Sequence, residues 1–228
     1  MHLTPDQMIL WHWRFLHINA TMVYTWIVML LLTGGSWLIT RRLDRSDGPR
    51  SRWQNVLEVI VEVMRGQIRD VCPEGGDRYL PFVGTLFLFI GVSNLLDIVP
   101  GWRAPTGSLS TTAALAICVG VAVPLFGIRQ KGVAGYFRDY LRPTVIMLPF
   151  HLMSETSRNI ALAVRLFGNM MSASMVVAIL LAIAPFFFPV LMQVLGLLTG
   201  MIQAYIFAIL ATVYIAAAVQ SQREQEGA

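Results

Sequence analysis

FHLMSETSRNIALAVRLFGNMMSASMVVAILLAIA (Phe150–Ala184) decides the fold. As a single helix it is roughly 50 Å long, more than a hydrocarbon core of about 30 Å needs. It belongs to an apolar run from Pro143 to Gln222 in which only Glu155, Arg158 and Arg165 carry formal charge. The best break in that run is APFFFP (Ala184–Pro189), because proline interrupts a helix. The remainder, Val190–Gln220, makes a second helix of roughly 45 Å. Both are predicted to be strongly tilted or to extend beyond a membrane.

Composition agrees. The 228 residues include 17 Lys and Arg against 13 Asp and Glu, a net charge of +4; 13% are charged and 56% hydrophobic. Mean hydropathy is +0.62. The charged share is about half that of soluble domains. These values exclude a disordered chain, a nucleic-acid module and an ordinary cytosolic enzyme, because a soluble fold cannot expose so much apolar surface. Arginines in loops account for the basic pI of about 9.4 without a nucleic-acid partner. Cys72 and Cys118 have neither disulfide nor metal spacing. The first 20 residues, with Arg14 as their only Lys or Arg, do not read as a cleavable signal.

Working towards the N-terminus, residues 21–40 are an uncharged first span with Trp11, Trp13 and Trp37 near its ends. RRLDRSDGPRSR (Arg41–Arg52) is a basic loop. In residues 53–71, Glu58, Glu62, Arg65 and Arg69 form one helical stripe against Val56, Val59, Ile60, Val63 and Met64. That pattern fits a helix lying along the interface, or a solvated face packed on other helices of the same chain. Residues 79–99 and 110–128 are spans two and three, joined by the Pro- and Gly-rich DIVPGWRAPTGS. A second basic loop carries Arg129, Lys131, Arg138 and Arg142. Residues 144–184 and 190–221 are the two long helices. The expected fold is an all-α polytopic membrane protein. It has five membrane-crossing helices plus one interfacial amphipathic helix, the last two crossings long and strongly tilted. They form one membrane domain over 1–228, with 1–20 external. Basic loops stay cytoplasmic, so the N-terminus lies outside an inner (plasma) membrane and the C-terminus inside.

An arginine at mid-membrane costs about 2.5–3.5 kcal/mol on insertion scales, which makes Arg165 a functional-site candidate. His151, Arg158, Arg165 and Ser172 recur every seven residues, a spacing that drifts only about 20° per step. Asn169 lies one turn past Arg165 on the same side. The carboxylates of Glu155 and Asp97 sit away from Arg165 along the chain, so its counter-charge is expected from another subunit. The last helix offers Gly196 and Gly200 as G-x-x-x-G, in register with Gln203. A polar line of this length suits a route for ions or water. The bland alternatives are an arginine that ties helices together and a glycine pair that only packs. No metal or cofactor site is expected. A membrane haem protein is excluded because His151 is the only histidine in the apolar spans. A secondary transporter or channel subunit whose buried arginine binds an anionic substrate remains the alternative. It would carry internal repeats with broken helices at matching positions, and none is visible.

SRNIALAVRLFGNMM (Ser157–Met171) resembles the signature of subunit a of F-type ATP synthases, roughly S-R-P-x-S-L-x-x-R-L-F-G-N-M. NLLDIVPGW (Asn94–Trp102), APTGSLSTT (Ala104–Thr112) and QAYIFAILATVYIAAA (Gln203–Ala218) resemble further family segments, in order. The resemblance implies a non-catalytic stator beside a rotating c-subunit ring. It would have peripheral-stalk b subunits as further partners and two half-channels that couple H⁺ or Na⁺ flow to rotation. Arg165 matches the essential arginine, Gln203 the glutamine facing it, and Asn169 the half-channel asparagine. Arg165, Gly196, Gly200 and Gln203 are then expected to face the ring. Asp97, His151, Glu155 and Ser172 are expected along the ion path. Four departures stand out. Ser174 and Gly196 replace the usual titratable pair, Asn159 replaces the proline after Ser-Arg, Ala161 replaces a serine, and Ser108 replaces an acidic or amide residue. An outer half-channel would then use Asp97 with His151 or Glu155 for protons, or oxygen ligands and water for Na⁺.

Overall fold

The computed structural model describes residues 9–13, 16–40, 52–72, 76–99, 102–141, 147–183 and 188–220. Among them the elements are β1 (Ile9–Trp13), β2 (Leu16–Asn19), α1 (Ala20–Thr40), α2 (Arg52–Val71), α3 (Leu80–Leu96), α4 (Leu109–Leu141), α5 (Met147–Ile183) and α6 (Phe188–Gln220). Short 3₁₀ turns at Gly76–Arg78 and Pro105–Gly107 lead into α3 and α4. Four helical stretches are long and apolar enough to cross a membrane: Ala20–Leu38, Leu109–Gln130, Pro149–Ile183 and Phe188–Val219. The remaining expected crossing is the shorter apolar helix Leu80–Leu96. The break at 184–187, the basic segment 41–51 and the tail 221–228 lie outside the described residues.

Two features differ from the expectation. The second basic loop is helical, because α4 runs on past Arg129, kinks at the non-helical Gly132 (φ 76°, ψ 162°) and resumes as a second helical stretch to Leu141. Lys and Arg are good helix formers, so their charge alone did not end the helix. Glycine accepts the positive φ without steric cost. The second feature is an addition near the N-terminus. β1 and β2 pair antiparallel, with Trp11 opposite Ile18 and Trp13 opposite Leu16, in a stretch rich in strand-favouring aromatic and β-branched residues.

The chain is built around α6. The most apolar 18-residue stretch of its span is 44% buried inside the chain, against 11% for the corresponding stretches of α1 and α5. Phe207, Ala208, Ala211 and Ile215 of α6 are fully buried. They pack in one core with Val83 and Ile90 of α3, Val119 of α4, and Leu162 and Leu166 of α5. Tyr79 lies edge-on to Phe126 at 5.1 Å, and its hydroxyl donates to Gln130 Oε1 at 2.9 Å. This ties the start of α3 to α4. α2 docks through its C-terminal half, where Met64, Ile68 and Cys72 are buried, while Val56, Val59, Val61 and Val63 are exposed. Arg65 and Arg69 both pair with Asp77, at 3.0 and 3.2 Å. The Arg69 hydrogen bond, helped by both guanidinium charges, holds the exposed Asp77 carboxyl below its ordinary range. One face of 53–71 packs on other helices of the chain, and Val56, Val59 and Val63 are left exposed.

Candidate functional site

α5 buries one stripe of residues and turns another outward. Leu162, Ala163, Leu166 and Met170 are buried. His151, Arg158 and Arg165 are exposed and Ser172 is exposed or nearly so along the same line, so the seven-residue polar line runs along the free face of the helix. Asn169 is half-buried beside it. Ile160 and Val164, 57% and 54% exposed, flank Arg165. Among the described residues no hydrogen bond or ion pair reaches Arg165. Arg158 is different, because its guanidinium lies 5.5 Å over the Tyr214 ring of α6, within cation–π range. On α6, Val194, Leu198, Met201 and Ile202 are exposed as well. Arg165 is thus a cation without a partner among the described residues, on an exposed face where polar residues are set among apolar ones.

Gln203 lies inward from that surface. It is 7% exposed, and its Nε2 is buried with no partner among the described residues. One turn earlier, Gly200 is buried against α3. Asn94 Nδ2 donates to the Gly200 carbonyl at 2.8 Å, and the Thr106 hydroxyl donates to Asn94 Oδ1 at 2.9 Å. A Cβ at position 200 would meet the Asn94 side chain at 3.0–3.2 Å, which accounts for glycine there. Gly196 instead faces α5, where a Cβ would stand 3.6 Å from that of Ala173.

A cavity of about 620 Å³ opens where α3, α5, α6 and the connector before α4 meet. Asp97, Trp102, Arg103, Ser174, Gln193 and Gly196 are among its lining residues. Ser174 and Gly196, the positions where the family's titratable pair is missing, therefore share one space with Asp97. Asp97 caps α3, and its Oδ1 accepts from the Ala104 amide at 3.1 Å. Gln193 Nε2 donates to the Asp97 carbonyl at 3.2 Å. The Trp102 indole N–H has no partner among the described residues. His151 and Glu155 do not line this cavity, since they lie towards the Met147 end of α5. The structure brings Asp97 to the cavity and leaves the other two candidates apart from it.

Sequence reasoning missed Asn94, Gln193 and Trp102. Gln193 lies one turn before Gly196, just outside the G-x-x-x-G that drew attention. Asn159, standing where the family has proline, lays its side-chain amide against Gly120 of α4, where a Cβ would overlap it. Ser108, the other loop departure, is fully buried and shares a 2.7 Å hydrogen bond with Ser110. Among the described residues no group of three His, Cys, Asp or Glu side chains gathers to hold a metal. The arrangement combines a permanent charge, a buried amide one helix away and a partly polar cavity. It suits moving charge past a fixed cation.

Residues 22–216 match the family described as ATP synthase A chain. An ATP synthase subunit a 2 of Acaryochloris marina is 61% identical over 96% of this chain and 94% of its own length. An ATP synthase subunit a 1 of Chlorobaculum parvum is 60% identical over 98% of this chain and 99% of its own. An ATP synthase subunit a of Albidiferax ferrireducens is 58% identical over 98% and 96%. With a family match spanning most of its helices and relatives of this closeness along nearly all its length, the chain belongs to the ATP synthase A chain family.

Proposed function

We propose that this chain is the ion-translocating stator of an ATP synthase membrane sector. Arg165 works against the carboxylates of a rotating c-subunit ring, and two offset half-channels bring the ion to and from them. The observation that carries this reading is the exposed Arg165 guanidinium on the outward face of α5, without a partner among the described residues. Arginine stays charged at any working pH. It attracts a ring carboxylate that has lost its ion and favours that ionised state, which expels the ion. The same charge repels cations that would leak straight from one half-channel to the other. The membrane field supplies about 2.3 kcal/mol per charge per 100 mV. Gln203 and Asn169 complete the polar surface beside Arg165, and ATP chemistry takes place on other subunits.

The cavity beside Asp97 supports its assignment as the outer half-channel, with Asp97 as its acid and with Ser174 and Gly196 leaving room for water. His151, Glu155 and Ser172 line the free face of α5 on the inner and ring-facing route. The coupling ion is H⁺ or Na⁺, selected by the ring's own site. α3 makes the fifth crossing, which puts the N-terminus outside and the C-terminus in the cytoplasm of an inner (plasma) membrane. The peripheral-stalk b subunits hold the chain against the turning ring. Arg165→Ala tests the reading: ion-driven ATP synthesis should vanish while the complex stays assembled. Normal synthesis by an assembled Arg165→Ala complex would end it.

A further inference from the structure

The part of α6 that carries Gln203 is pinned from two sides. Towards α3, Asn94 is 2% exposed and its amide is satisfied at both ends. It donates to the Gly200 carbonyl at 2.8 Å and accepts from Thr106, a fully buried residue, at 2.9 Å. Towards α2, the Tyr205 hydroxyl donates to Gln67 Oε1 at 2.7 Å. Gln203 lies between these two anchors.

The buried face of α6 mixes alanine at 204, 208, 211 and 216 with Phe207, Thr212 and Ile215, which hold the helix in the core towards its C-terminal end, beyond Gly200 and Gln203. A hydrogen bond to one main-chain carbonyl sets rotation and height together. Gly200 permits it, because any Cβ there would press on Asn94. The carbonyl's second lone pair serves the side chain without breaking the helical bond.

We propose that Asn94 is a positioning residue that holds the Gly200–Gln203 turn of α6 at the rotation and height Gln203 needs opposite the rotor. The inference rests on the reading of Gln203 as part of the ion-coupling surface. A displacement of about 1 Å is enough to slow a geometrically demanding step by about 100-fold. A loosened turn therefore costs function out of proportion to the one bond lost.

The test uses the whole complex in liposomes and measures ATP-driven ion transport per ATP hydrolysed. The variants are Gln203→Leu, Asn94→Leu and the pair of both. Each single change should lower transport by about tenfold or more. Because both act through one group, the pair should be no worse than the poorer single to within about twofold, the scatter of independent sites. Losses that multiply would make Asn94 an independent packing residue and overturn the proposal. So would wild-type transport by Asn94→Leu alongside an impaired Gln203→Leu. Unimpaired transport by Gln203→Leu would remove the reading of Gln203 and this inference with it. If Asn94→Leu fails to assemble, the isosteric Thr106→Val takes its place. It removes only the donor that orients the Asn94 amide, and transport at the full rate in that variant would equally overturn the proposal.

Discussion

Replacing Gln203 by leucine should leave the chain as stable or more stable while the motor runs worse. Gln203 is 7% exposed, and its Nε2 has no hydrogen-bond partner among the described residues. A buried donor left unsatisfied costs about 1–3 kcal/mol. Polar groups in membrane helices are worth less than that suggests, about 0.6 kcal/mol on average in one measured case, so the realistic gain is about 1 kcal/mol. Leucine has a similar volume, and its helix propensity differs little from that of glutamine, so no opposing effect of that size arises from α6 itself. Heat-induced release of the subunit from the purified complex measures the stability. ATP-driven ion transport by the same preparation measures the work. The expected pattern is release at an equal or higher temperature together with transport lowered by about tenfold or more. A Gln203→Leu complex that releases the subunit earlier and pumps normally would refute the reasoning and make Gln203 a packing residue.

Asp97→Asn should slow transport in both directions, because it removes the acid lining the cavity; reconstituted transport at the full rate would take Asp97 off the ion path. Phe207→Ala should destabilise the subunit by about 3–5 kcal/mol, since a fully buried ring leaves a cavity in the core; survival of the subunit in detergent on heating measures it. The Asp77 clasp of α2 should respond to acid alone. Its carboxyl titrates below the ordinary 3.8 in the folded chain, chiefly through Arg69. Its contribution is therefore complete above the unfolded value and fades as pH falls through the folded one. The protection of amides in the C-terminal half of α2, taken relative to their intrinsic exchange rate at each pH, should not change between about pH 6 and 8 and should fall below about pH 4. Asp77→Asn should abolish that step.

The two long helices were legible in the sequence because an apolar run longer than two membrane thicknesses must break somewhere, and APFFFP is its only Pro-flanked aromatic cluster. The polar line was legible because spacing by seven keeps residues on one helical face, and the outward positions of His151, Arg158 and Arg165 agree. The continuation of α4 to Leu141 was not legible, because basic residues read as loop in a topology argument but are ordinary helix formers. Asn94 was hidden for another reason. Its partners Thr106 and Gly200 lie 12 and 106 residues away, and no local pattern encodes a contact at that range. The hairpin of β1 and β2 was missed because its aromatics, Trp11 and Trp13, were read as interfacial residues of the first span rather than as strand formers.

The shortness of α3 has a consequence for the bilayer itself. Its 17 residues rise about 26 Å, a few ångströms less than a hydrocarbon core that α3 crosses if it makes the fifth crossing proposed above. Lipid relieves such hydrophobic mismatch by thinning, at fractions of a kcal/mol per ångström. α3 ends at Leu96, and the next residue, Asp97, lines the cavity. On the proposed reading, the outer leaflet would be shallowest beside that cavity, drawing headgroups and water towards Arg165 and shortening the dry part of the ion's journey.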